Sequence, residues 1–212
     1  MSGRISTCPN CGAPVNFRFA GAVQTTCEFC HSILVRTDLD LSRVGEVTEL
    51  PPNSSPIQIL TEGQYLGKPF QVLGRIIYEY DQGNWNEWHL VFNDGSSGWL
   101  SDAMNEYAVS VLDPTQRGLP DAADLYPGKR LEIAGTEYQV STITQAFYRG
   151  VEGELPFTYW DKQRCVFADL RNAEGRFCTI DYSERPPLLF VGAFVEYEEL
   201  NLKFVRIFEG WS

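Results

Sequence analysis

Four cysteines stand in two pairs near the start of the chain, Cys8-Pro9-Asn10-Cys11 and Cys27-Glu28-Phe29-Cys30, with 15 residues between the pairs. No other feature restricts folding as tightly. A C-x2-C turn presents two thiolates from one knuckle, and a tetrahedral metal needs two such knuckles at about this separation. Gly12 follows the first pair and can relax the knuckle where a left-handed backbone is needed. Short strands are expected over residues 15–19, 23–27 and 32–35. The reading is a zinc ribbon over residues 1–40, with one structural Zn2+ held by Cys8, Cys11, Cys27 and Cys30. Two disulfides in a secreted domain is the competing reading. The stretch before Cys8 has Arg4 but no apolar h-region, so zinc is favoured and a reducing cytoplasm is expected. Four thiolates close the coordination shell, so any activity belongs elsewhere. His31, beside Cys30, is surplus as a ligand and is expected to be exposed or to hydrogen-bond near a sulfur.

The 212 residues carry a net charge of −11. Residues 1–40 are balanced, with Arg4, Arg18 and Arg36 against Glu28, Asp38 and Asp40, so the excess acid lies beyond them. A phosphate backbone needs a dense basic surface, which disfavours nucleic acid. A polyanionic membrane surface is disfavoured likewise, and a cationic partner or ligand suits the field better. The longest apolar run, Leu188 to Val195, is far short of the ~20 residues of a membrane-spanning helix. Peripheral association through a membrane-protein partner stays open.

Residues 41–57, with Pro51, Pro52, Asn53 and Pro56, read as a linker. Beyond it the chain reads as β. Strands are expected at 70–73, 75–80, 89–92 and 98–101, a hairpin connection at 93–97, and one helical turn at 102–106. The second half repeats the first. Gly67 to Val72 matches Gly135 to Val140 at an offset of 68, Asn86-Glu87-Trp88 falls on Gly153-Glu154-Leu155 at 67, and Val91 to Asp94 matches Val166 to Asp169 at 75. The growing offset places an insertion of about eight residues between Glu154 and Val166, around 156–162. The fold expected is therefore mainly β: the ribbon (1–40), the linker (41–57) and two similar small curved-sheet or SH3-like barrel units (58–116 and 117–212).

The segment from Gly67 to Leu100, with Trp85-Asn86-Glu87-Trp88, resembles the bacterial domain of unknown function 4178. So do LEIAGTEYQV (131–140), VEGELPF (151–157), FADL (167–170), TIDYSE (179–184) and LLFVG (188–192). The resemblance covers residues 57–210. It implies a frequent N-terminal zinc ribbon and genes of polyamine synthesis, membrane stress and small membrane proteins nearby. It implies no activity.

Trp85-Asn86-Glu87-Trp88 is the most unusual cluster. On a strand Trp85 and Glu87 share one face, Asn86 and Trp88 the other. One tryptophan is expected in the core. The other, beside Glu87, either walls a pocket for a cationic group or packs too, with Glu87 satisfying a buried backbone donor or paired to an arginine such as Arg75. By the repeat, Glu154 is the counterpart of Glu87. Glu154 then either faces Glu87 across a pseudo-twofold site or lies, with Glu152, in a surface loop. Cys165 and Cys178, on two arms of one hairpin, read as buried small hydrophobes. His89 is read as exposed, and no nucleophile–histidine pair or phosphate loop is visible.

Two functions follow. The first is a non-catalytic binding or adaptor protein with a protein partner. The second is an enzyme or sensor of a small cationic ligand, a polyamine among the options. It would use Glu87 and Glu154 in an aromatic-walled cleft, with Trp85, Trp88 and Glu152 as further ligand-binding candidates.

Overall fold

A computed structural model describes residues 5–37, 41–47, 50, 54–115, 117–158 and 164–208. The ribbon is built of two small sheets. β1 (Ile5–Thr7) pairs β2 (Pro14–Asn16), while β3 (Gln24–Thr26), β4 (Ser32–Arg36) and β5 (Leu41–Glu46) form a three-stranded sheet. Val15, Phe17, Leu34 and Leu41 pack around Cys8 and Cys27 as its core. The first residues of the expected linker are therefore strand β5, which extends the ribbon past residue 40 because Val44 and Val47 have apolar surface to cover. Pro51, Pro52 and Asn53 lie outside the described residues. Ile57 is fully buried, so the end of the expected linker belongs to the next unit's core.

Two five-stranded meanders follow. The first runs β6 (Glu62–Tyr65), β7 (Lys68–Tyr80), β8 (Gly83–Phe92), β9 (Ser97–Ala103) and β10 (Glu106–Leu112). The second runs β11 (Arg130–Ile133), β12 (Thr136–Gly153), β13 (Arg164–Arg171), β14 (Arg176–Asp181) and β15 (Leu188–Val195). Each is a curved antiparallel sheet, and the two share one strand order. The last strands pair, β10 with β15, and the long strands pair, β7 with β12. Eight strands thus close into one ring, β7-β8-β9-β10-β15-β14-β13-β12, with β6 and β11 as short additions. Closure is joint: among the described residues no strand pairing closes either meander on itself.

Local geometry confirms the repeat. Leu66 and Gly67, at φ 49 and 76, turn β6 into β7; Ala134 and Gly135, at 49 and 74, turn β11 into β12. Both φ values are positive, as a two-residue type I′ hairpin requires. The ladder of β7 breaks between Val72 and Gly74, and that of β12 between Val140 and Thr142. Further on the register differs from expectation. Leu90 opposes Val72 and Leu170 opposes Val140, so the offset is 68 on the long strands and 80 on the hairpins. Gly95 and Gly175, at φ 81 and 76, occupy the same place in their turns. Phe92 therefore superposes on Asn172, and Phe167 on Glu87. The offset of 75 arose from a short Val-Phe-x-Asp match that the hydrogen-bond register does not follow. Phe70 over Tyr138 does hold. The insertion is 12 residues (80 minus 68) and lies between Tyr148 and Arg164, partly in residues 159–163, outside those described.

Alternation on each strand sorts the side chains. Phe70, Val72, Trp88, Leu90 and Leu100 make the outward core of the first meander. Tyr138, Val140, Ala168, Leu170 and Ile180 make that of the second. The tails cross over: Leu200, from the turn Tyr197–Leu200 after β15, packs on the first meander, and Leu125, after β10, on the second. The opposite faces meet inside the ring, where Ile76, Tyr78 and Trp99 pack against Ala146, Tyr148 and Phe167. The expected helical turn at 102–106 is instead the β9–β10 hairpin, with Met104 and Asn105 at φ 52 and 66.

Candidate metal centre and ring interior

Each cysteine knuckle closes on itself. The Gly12 N–H donates to the Cys8 carbonyl at 2.9 Å, and the His31 N–H to the Cys27 carbonyl at 3.0 Å. Gly12 (φ 77) and His31 (φ 55) fill the same left-handed slot after their pairs. His31 is exposed, as expected, and serves through its backbone. The thiols converge. Cys8 Sγ lies 3.7 Å from Cys30 Sγ, Cys11 Sγ 3.8 Å from Cys27 Sγ, and all four sit within 4.8 Å of one another. A disulfide needs about 2.05 Å, whereas the edge of a tetrahedron with metal–sulfur bonds of about 2.3 Å is about 3.8 Å. The cluster therefore fits one tetrahedral metal ion held by four thiolates. Ser32 Oγ lies 3.3 Å from Cys30 Sγ and accepts the Nε–H of Arg43 at 3.1 Å, so Arg43 holds the hydroxyl beside the sulfur.

The ribbon is docked on the ring through Glu154, which is 3% exposed. The N–H groups of Arg18 and Phe19 donate to its Oε1 and Oε2, each at 2.8 Å. Burial raises its pKa and these donors oppose the rise. The Glu154 carbonyl accepts the Nδ1–H of His89 at 2.9 Å, and His89 Nε2 accepts the Ser97 hydroxyl at 2.7 Å. His89 is fully buried rather than exposed, and burial pushes its pKa down to about 4, so the ring is neutral. Glu154, one residue past the end of β12, is accordingly buried rather than on a surface loop, and it is not the counterpart of Glu87.

Glu87 faces the ring interior. Trp85 Nε1–H donates to its Oε1 at 2.9 Å, and the Ser101 hydroxyl reaches both oxygens at 2.9 Å. Burial is the main cause that lifts its pKa to about 7; Asp169 and Asp102 add to it. A cavity of about 60 Å³ adjoins Glu87, with Tyr78, Trp99, Phe157 and Phe167 as aromatic wall and Asp181 on the far side. Burial raises Asp169 and Asp181 as well. Among the described residues no lysine, arginine or histidine lines this cavity. Trp85 stacks on Tyr78 at 4.9 Å behind Glu87.

The remaining sequence candidates lie apart. Trp88 is 1% exposed in the outward core, with its indole under the Arg75 guanidinium at 4.9 Å. Arg75 does not pair with Glu87; it donates twice to Asn86 Oδ1 and, at 2.8 Å, to Glu152 Oε2 across the β7–β12 ladder. Glu152 and Glu154 border a separate cleft of about 680 Å³ between ribbon and ring, with Arg18, Thr26, His31 and Leu73. The proposed pairing of Glu87 with Glu154 is thus overturned, because they line different cavities. Cys165 and Cys178 are both buried, but Cys165 joins the ring interior and Cys178 the outward core of the second meander. Sequence reasoning missed Asp169, Asp181, Trp99 and His89. Period-two alternation outward from Glu87 would have placed His89 on its face, and the hairpin register Trp99.

Among the described residues no helix is long and apolar enough to cross a membrane. The family model described as Domain of unknown function (DUF4178) matches residues 59–197, from the start of the first meander to the end of the second. No curated protein and no solved structure matches the chain.

Proposed function

The chain belongs to the family Domain of unknown function (DUF4178), whose description carries no activity, and from the ring interior we propose a non-catalytic binding protein that receives an organic ammonium group. The supporting observation is the Glu87 carboxylate in a cavity walled by aromatic rings. A carboxylate supplies the counter-charge and the ring faces supply cation–π attraction, which strengthens on desolvation. The net charge of −11 favours a cation at longer range. About 60 Å³ admits an ammonium head and a few methylenes, not a bulky ligand. A linear polyamine, or a lysine side chain of a partner protein, presents that group. The second source is the form the adaptor reading takes. Both Glu87 oxygens already accept hydrogen bonds, which suits a fixed counter-ion better than a proton shuttle.

In this reading the metal is Zn2+ and structural: tetrathiolate softness and tetrahedral spacing select it, and four thiolates leave no open position. The compartment is a reducing cytoplasm, where thiolates persist.

Calorimetric titration of the zinc-loaded protein with spermidine tests the proposal. One saturable site per chain is expected, weakened about tenfold or more in Glu87→Gln, since the ligand charge then loses its buried partner. Equal binding by both proteins, or none by either, would overturn it. A lysine-bearing peptide that binds more tightly than spermidine, with the same loss in Glu87→Gln, would identify the adaptor form.

A further inference from the structure

Both arms of the ribbon end on one dipeptide of the ring. The arm leaving Cys11 runs through β2 to Arg18 and Phe19, whose N–H groups hold the two oxygens of Glu154. The arm entering Cys27 is β3. Its Gln24 exchanges backbone hydrogen bonds with Leu155, Leu155 N–H to Gln24 carbonyl at 2.9 Å and the reverse at 3.2 Å. Two residues further, Phe157 stands in the cavity wall with its ring 5.6 Å from that of Trp99. A second path runs through side chains. Phe19 meets His89 edge-on at 5.4 Å, His89 lies 5.2 Å from Trp99, and His89 is anchored on the Glu154 carbonyl. Ile33, from β4, completes the interior core beside Ile76 and Leu155.

We propose that the metal-bound ribbon sets the aromatic wall of the ring cavity, so that metal occupancy and the positions of Trp99 and Phe157 are linked. The link to ligand affinity rests on the binding reading above; the link to the wall does not. A ribbon this small holds its fold through its metal. When the metal leaves, Arg18 and Phe19 no longer hold their N–H groups at Glu154. A buried carboxylate without donors is costly, so Glu154 must take up a proton or swing toward water. Either response moves Leu155 and Phe157, which share its backbone, and releases the carbonyl that orients His89 against Trp99. Linkage is reciprocal: a ligand that prefers the ordered wall tightens the metal.

The test is the Trp99 indole N–H resonance of the 15N-labelled full chain, identified by its loss in Trp99→Phe. Stripping the metal with EDTA is expected to shift or broaden it and Zn2+ to restore it, while amides of the 171–176 hairpin stay in place. In zinc-loaded Glu154→Gln the resonance is expected to move toward its metal-free position. EDTA is expected to strip that variant about tenfold faster, the size of one lost hydrogen bond to a charged group. An indole resonance that is the same in wild type, stripped protein and Glu154→Gln would overturn the proposal. If the stripped chain loses the hairpin signals as well, the zinc-loaded variant alone decides. Spermidine that fails to bind while Trp99 responds to metal removes the binding reading and leaves this link; binding without any response does the reverse.

Discussion

Glu87 and His89 are two residues apart on β8 and share one face, yet burial drives them in opposite senses. Glu87 rises to about 7 from 4.5, so between these values the folded chain holds a proton that the unfolded chain lacks. Stability from this group therefore falls as pH rises through that window. His89 drops to about 4 from 6.5, so its contribution is complete above 6.5 and is lost as pH falls toward 4. The two largely cancel between 4.5 and 6.5. Glu87→Gln stays neutral throughout and can keep the bonds to Trp85 and Ser101. Thermal unfolding is expected to show the variant a few degrees above wild type at pH 8, with no advantage at pH 4. Equal midpoints at pH 8 would mean that Glu87 ionises in place without cost.

At the scale of elements, the ribbon was the most legible part of the sequence. Its cysteine spacing matches the geometry of a tetrahedral metal site, which does not depend on the rest of the fold. Elemental analysis of protein purified without added metal is expected to give near one zinc per chain, held by Cys8, Cys11, Cys27 and Cys30. Less than a tenth of an equivalent, with the thiols found as disulfides, would contradict this. The strand positions and the offset of 68 were also readable, because turn residues such as Gly67 and Gly135 mark them. The hairpin offset was not. Register there is fixed by bulges and backbone bonds, and short apolar matches carry no record of either. The role of Glu154 was equally hidden, since its donors, Arg18 and Phe19, lie 136 and 135 residues away in the chain.

At the scale of the molecule, two repeated meanders become one ring because each leaves two open strand edges, one on its last strand and one on its long strand, and those of its twin pair them. Val111 pairs with Val191, its own counterpart at the offset of 80, so β10 and β15 meet on the pseudo-twofold axis. There Gly192 passes so close to the Val109 carbonyl that a side chain has no room. The ring places Glu87 and Asp181 on one cavity whose lining, among the described residues, holds no lysine, arginine or histidine, and the ribbon closes on the ring through Glu154. The most direct test of this account is spermidine titration of the zinc-loaded chain at a series of pH values from 5.5 to 8.5. If Glu87 is the counter-ion, it must ionise to bind. Affinity is then expected to rise up to about tenfold per unit below pH 7 and to level off above it. Affinity independent of pH across that range would contradict the assignment of the ring interior to an organic cation.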